Sequence, residues 1–246
     1  MIALTIMKDV LISICLPIIL AMALLYLLKD NVLRDRDIYG ATMKFLQFHL
    51  SIGIVIVMLD VVGACVINDA VLKYIHIIWI LFLDISLSLA LAVDHSTKNP
   101  TALPVNSFIP RTIIKNIICH VLYQIIVLLA FLFVGERLLN IESGRWSPLD
   151  YPPSIHFTII FNTFVMMTLF NGINCRMLNN GRNIFKDLFK IPPIFFIIWI
   201  VWFILQVLIV QLDGAFLWVV PLNLLQWGVC ILLGLVELLL GQIIYC

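Results

Sequence analysis

The sequence has 246 residues, of which 63% are hydrophobic and only 12% are charged, and its formal net charge is +1. A soluble domain is about half apolar and about one quarter charged, so this composition excludes a fold around a single aqueous core. The small net charge and the lack of any long basic run also exclude nucleic acid as a partner. The sequence therefore indicates an all-α, polytopic membrane helix bundle whose solvent is the lipid bilayer.

Mostly apolar runs that are long enough for a membrane helix follow one another along the chain: 10–28, 48–67, 71–93, 113–134, 156–175, 193–212 and 217–243. Each contains about 18 residues or more, which suffices to cross roughly 30 Å of hydrocarbon. The connectors between them are polar or rich in proline, and each is too short for a folded extramembrane domain. We predict about seven transmembrane helices.

The first apolar run has features of a secretory signal peptide, because Lys8 precedes it and Ala21-Met22-Ala23 imitates a cleavage site. The run continues through Leu28, however, which is too long for the core of a signal peptide. We therefore predict that residues 1–30 form an N-terminal transmembrane helix, in which Pro17 is tolerated.

Lysine and arginine residues are concentrated in alternate connectors. The connectors 29–44, 94–115 and 176–190 hold eleven of them, whereas the opposite side of the membrane, including the segment before the first helix, holds four. By the positive-inside rule the first set faces the cytoplasm. Seven spans then place the N-terminus outside and the C-terminus in the cytoplasm.

Several segments carry a resemblance to one protein family. They include Lys44-Phe45-Leu46-Gln47-Phe48-His49-Leu50, Asp84 with Ser88-Leu89-Ala90-Leu91-Ala92, and Phe161-Asn162-Thr163-Phe164-Val165-Met166-Met167. These segments are similar to the fifth, sixth and eighth membrane helices of plasma-membrane-type calcium-transporting P-type ATPases. Shorter matches in the same order, such as Val134-Gly135-Glu136 and Gly241-Gln242, extend the resemblance over residues 32–244. It implies that residues 31–246 are the C-terminal membrane domain of such a pump, and that residues 1–30 have no counterpart in the family.

In pumps of this family, ATP phosphorylates an Asp-Lys-Thr-Gly sequence in a cytoplasmic headpiece. This chain contains no Asp-Lys-Thr-Gly sequence and no nucleotide-binding domain. Because phosphoryl transfer needs a positioned acceptor and a magnesium clamp, we expect no ATPase activity from this chain alone and assign it no cofactor. Two explanations stay open: a biological truncation, and an incomplete gene sequence with its join near residue 30.

Calcium is the transported ion that the resemblance implies, and it prefers about six to eight oxygen ligands. Asp84 supplies one carboxylate, and Ser88 lies one helical turn further along the same face. At the other positions where the family carries ligands, this chain has residues without a carboxylate: Gly53, Ile80, Thr168 and Gly172. We therefore expect Asp84 and Ser88 to be the remnant of a calcium site.

Other ionisable residues within the apolar runs are expected to have structural roles. Asp60 lies near the outer end of its predicted helix, where it would reach interfacial water, and Glu237 would anchor helix packing. The histidines lie at or near predicted helix ends, where hydrogen bonds are expected to hold them: His49, His76, His120 and His156.

The sequence leaves two functions open. One is a non-catalytic membrane module, derived from a calcium pump, that acts on a partner through helix packing or has no activity. The other is calcium transport, either as one part of a split pump with a separate headpiece chain or as a passive cation pathway around Asp84. The missing ligands favour the first function, and the resemblance favours the plasma membrane as its location.

Overall fold

The structure is a computed structural model, and it describes residues 36–67, 70–93, 110–146, 153–176, 193–212 and 216–245. The helices in this part of the chain are α1 (Arg36–Val66), α2 (Tyr74–Val93), α3 (Arg111–Leu138), α4 (Ile155–Cys175), α5 (Pro193–Leu212) and α6 (Leu224–Tyr245). All six are long and apolar enough to cross a membrane. The prediction of an all-helical, polytopic membrane bundle is thus confirmed. The helix predicted at 10–28, within the segment 1–30, lies outside the described residues.

The starts of two helices differ most from the apolar runs. Helix α1 begins at Arg36, well before residue 48, because the polar residues Lys44 and Gln47 continue the helix and are buried in the bundle. Helix α6 begins at Leu224 rather than at residue 217. Its start is set by a reciprocal cap, in which the Gln226 N–H donates to Asn223 Oδ1 and the Asn223 N–H donates to Gln226 Oε1, both at 2.9 Å.

Helix α4 lies at the centre of the bundle. Every residue from Thr158 to Cys175 is buried, and the helix contacts each of the other five, α6 most extensively. The Ser154 hydroxyl caps its N-terminus by accepting a hydrogen bond from the Phe157 N–H at 3.3 Å. Because this helix is enclosed by protein, it can carry polar side chains such as Asn162 without exposing them to lipid.

Two glycines of α6 allow it to approach α4 closely. A Cβ atom added at Gly234 would lie 2.8 Å from Cε2 of Phe170 and 3.3 Å from the carbonyl oxygen of Met166. A Cβ atom added at Gly241 would collide with the side-chain amide of Asn174. The absence of a side chain at both positions therefore permits close packing of the two helices.

Candidate functional site

Asp84 lies near the middle of α2 and faces the interior of the bundle, where it is only 1% exposed. Its Oδ1 atom accepts a hydrogen bond from the Ser88 hydroxyl at 3.1 Å. The two residues are four positions apart, so the helix places them on one face, as their spacing predicts. The Oδ2 atom contacts Nδ1 of His49, which belongs to α1. Both carboxylate oxygens therefore have a partner within the protein.

His49 is the neighbour of Asp84 that the sequence does not reveal. The expectation that His49 lies at a helix end is wrong, because α1 begins about three turns earlier, at Arg36. The imidazole is buried and stacks on the ring of Phe45, with a centroid distance of 5.5 Å and an interplanar angle of 16°. A histidine within one apolar run and an aspartate within the next are the only sequence signals of this pair.

Hydrocarbon fills other positions around Asp84. Ile80, one turn before Asp84, is fully buried. A Cβ atom added at Gly172 of α4 would lie 3.5 Å from Cε2 of Phe48 and 3.7 Å from Cδ1 of Leu87. These are ordinary van der Waals distances, so an aromatic ring and an aliphatic side chain border the position of Gly172.

These residues do not fit a calcium ion in the described arrangement. Among the described residues, no group of three or more histidine, cysteine or acidic side chains could hold a metal ion. Calcium prefers about six to eight oxygen ligands, and the oxygens of Asp84 and Ser88 already contact each other or His49. A calcium-binding role for Asp84 and Ser88 stays a prediction.

A second buried carboxylate joins α3 to α6. The Oε1 atom of Glu237 lies 2.8 Å from Nδ1 of His120 and accepts a hydrogen bond from Nε2 of Gln124 at 3.0 Å. All three side chains are fully buried. The arrangement agrees with the expected role of Glu237 in helix packing. The expectation that His120 lies at a helix end is wrong, because α3 begins at Arg111.

Two further histidines within the described ranges hold the ends of helices. His76, near the start of α2, places Nε2 2.6 Å from the carbonyl oxygen of Leu217. His156, near the start of α4, places Nε2 2.8 Å from the carbonyl oxygen of Phe131. Both form the expected hydrogen bonds, and both are buried.

The burial of the Asp60 side chain differs from what the sequence predicts. The interpretation that it reaches interfacial water is wrong, because its side chain is fully buried. Helix α1 continues to Val66, so Asp60 lies more than one turn before the helix end.

Comparison with known proteins supports the resemblance that the motifs indicate. Residues 69–245 match the family model described as "Cation transporting ATPase, C-terminus". The chain is 43% identical over 219 residues to the plasma membrane calcium-transporting ATPase mca-1 of Caenorhabditis elegans. It is 42% identical over 219 residues to the plasma membrane calcium-transporting ATPase 3 of Homo sapiens. These alignments cover 87% of this chain but only 17% and 18% of those proteins, so the chain spans less than a fifth of their length.

The matched residues 69–245 include helices α2 to α6 completely, with Asp84 and Glu237 inside them. They cover well over half of the chain, and the identities extend the match toward its N-terminal part. The chain therefore belongs to the cation-transporting ATPase C-terminal family and corresponds to the membrane-embedded C-terminal region of calcium-transporting P-type ATPases.

Proposed function

We propose that this chain is a non-catalytic membrane module of the calcium-pump family, which neither hydrolyses ATP nor moves calcium by itself. Its activity is helix packing with partner membrane helices. The observation that supports this proposal is the packing at Gly172. Where the resemblance places a glutamate ligand, this chain has Gly172, which offers no carboxylate, and the side chains that border the position are those of Phe48 and Leu87. Carbon atoms cannot coordinate calcium, and Ile80 adds another buried hydrocarbon side chain one turn from Asp84.

The contacts of Asp84 support the same proposal. An ionised carboxylate in the middle of a membrane helix costs roughly 2.5–3.5 kcal/mol on insertion scales. The contacts with His49 and Ser88 offset part of this cost, because they give both oxygens a polar partner. Asp84 then links two helices, as an intramembrane polar residue can do without a transported ion.

A second candidate function is calcium transport as one part of a split pump. Asp84 and Ser88 favour it, because they keep the spacing and the inward orientation that the family resemblance implies for the sixth helix. In this alternative, a separate headpiece chain and its helices supply the missing ligands. In either case we propose the plasma membrane as the location, from the names of the relatives, and a cytoplasmic C-terminus, from the distribution of basic residues.

Calcium uptake into vesicles distinguishes these functions. Purified protein is reconstituted, and radioactive calcium uptake is measured with and without ATP for the wild type and for Asp84→Asn. We expect no uptake above that of protein-free vesicles in any of these conditions. Uptake that requires ATP would contradict the proposal and indicate a copurifying headpiece chain. Uptake without ATP that is lost in Asp84→Asn would indicate a passive cation pathway.

A further inference from the structure

We propose that the His49 imidazole occupies the place on the Asp84 carboxylate that a bound cation would take, so that the chain carries its own substitute for an ion between α1 and α2. This inference rests on the proposed function and names the group that closes the site. It concerns a contact between two helices, since the two residues are 35 positions apart.

The contact is shielded from water on both sides. The side chains of His49 and Asp84 are 2% and 1% exposed, so water does not replace either partner. A buried carboxylate without polar partners is strongly unfavourable, and each carboxylate oxygen of Asp84 has a polar partner within the protein. Ser88 meets Oδ1, and His49 meets Oδ2.

Neighbouring aromatic residues hold the imidazole in this position. Phe45, one turn earlier in α1, stacks on the ring of His49. Phe48, the residue before His49, packs beside Gly172 of α4. The segment that carries the imidazole is therefore packed against α4, and the stacking within α1 leaves the ring little freedom to move away from Asp84.

The composition of the surroundings suits an imidazole better than a cation. A cation at Asp84 would need further oxygen ligands, whereas Ile80, Leu87 and Phe48 present hydrocarbon. An imidazole needs one carboxylate oxygen for Nδ1, and the face of its ring packs well on an aromatic side chain, here that of Phe45. The same residues that make the site poor for an ion thus make it a good site for a histidine ring.

This inference predicts that loss of the imidazole opens a cation site that the wild type lacks. In His49→Ala, Asp84 keeps Ser88 but loses the partner of Oδ2. The vacated imidazole volume admits a small cation together with water, and the water supplies the oxygen ligands that Ile80, Leu87 and Phe48 do not. Loss of the Ser88 hydroxyl leaves His49 in place, so Ser88→Ala opens no such site. A ligand that binds only the folded state stabilises it by an amount that grows with the logarithm of the ligand concentration once this exceeds the Kd.

The test measures thermal unfolding of the full chain in lipid nanodiscs, with tryptophan fluorescence as the signal. It is carried out in potassium chloride and in N-methylglucamine chloride at equal ionic strength. For the wild type we expect the same Tm in both salts. For His49→Ala we expect a lower Tm in N-methylglucamine and a rise of about 2–4 °C in potassium. In the double variant His49→Ala with Asp84→Asn the potassium effect should vanish. Ser88→Ala should lower the Tm equally in both salts.

Two results would overturn the inference. One is a wild type that potassium stabilises through Asp84, since an ion would then share the site with the imidazole. The other is a His49→Ala protein that does not respond to potassium, since His49 would then be an ordinary packing residue. If His49→Ala does not fold, His49→Val is used, because its side chain is smaller than that of histidine, fills part of the space and carries no donor for Oδ2, and the same potassium response is expected. Calcium uptake by the wild type tests the proposed function, so the two failures are distinguishable.

Discussion

At the scale of single residues, histidine meets a carboxylate twice in this bundle. His49 and Asp84 join α1 to α2, and His120 and Glu237 join α3 to α6. The side chains of each pair are at most 2% exposed, so neither partner can form a hydrogen bond to bulk water when the other is removed. The effect of a substitution at these sites is therefore set by the buried group that is left behind.

Glu237→Ala should destabilise the bundle because it leaves the ring nitrogen of His120 and the amide of Gln124 without their acceptor. We expect a loss of about 1–3 kcal/mol for each of these groups, seen as a lower Tm in nanodiscs. The matched control is Glu142→Ala, which removes an exposed carboxylate and should change the stability by less than about 0.5 kcal/mol. Equal Tm values for the two variants would show that Glu237 does not hold α3 to α6.

The contacts of Asp84 show which part of the candidate site the sequence can predict. Its bond with Ser88 follows from the four-residue spacing on one helix, so it is readable without a structure. Its contact with His49 depends on how α1 and α2 cross, and a one-dimensional pattern does not contain that information. The burial of Asp60 escapes prediction for the same reason.

At the scale of helices, α6 approaches α4 closely at glycines rather than at large apolar residues. Helix α6 places Gly234 against Phe170 and Gly241 against Asn174, both of α4. Lipid tails are as apolar as leucine, so association of membrane helices depends on this kind of close packing.

Gly234→Val should disrupt the α4–α6 contact, because its Cβ would overlap the ring of Phe170 and crowd the backbone oxygen of Met166. We expect a destabilisation of about 1–3 kcal/mol, measured as a lower Tm in nanodiscs. Gly228→Val is the matched control on the same helix, since no atom lies within 4 Å of a Cβ at that position. A Gly228→Val protein that melts as early as Gly234→Val would mean that helix propensity, and not packing, causes the loss.

Helix ends were predictable where the chain carries local signals. Helix α5 spans Pro193–Leu212, as the apolar run indicates, because Pro192 precedes it, Pro193 suits its first position and Asp213-Gly214 follows it. The start of α1 was not predictable, because its first turns carry polar residues that hydropathy assigns to a connector. Lys44 and Gln47 belong to the helix because neighbouring helices bury them.

At the scale of the whole molecule, the described helices place the beginning of α1 and the end of α6 at the same end of the bundle, because six spans separate them. The Lys115 ammonium donates to the carbonyl oxygen of Ile244 at 3.2 Å, so the start of α3 also lies at this end. The basic connectors 94–115 and 176–190 lead to the same end, which is the side that the positive-inside rule assigns to the cytoplasm.

Glycosylation mapping tests this orientation in a eukaryotic cell. The natural sequence has no usable Asn-x-Ser/Thr acceptor, so each inserted acceptor is read without background. An acceptor with flexible flanks inserted after Glu142 should be glycosylated, and one inserted after Asn180 should not, as judged by a glycosidase-sensitive change in mass. Modification after Asn180 instead of after Glu142 would reverse the assignment.

The enclosed position of α4 also affects how the protein is made. Its mean hydropathy of 1.3 is the lowest of the six spans, whereas the others lie between 2.0 and 2.7. A segment with this low hydropathy gains the least free energy when it moves from the translocon into lipid. It depends on other helices to enclose its polar side chains. Its most extensive partner is α6, which the ribosome completes later than any other described helix. We therefore expect the membrane insertion of α4 to stay reversible until α6 has been synthesised and packs against it.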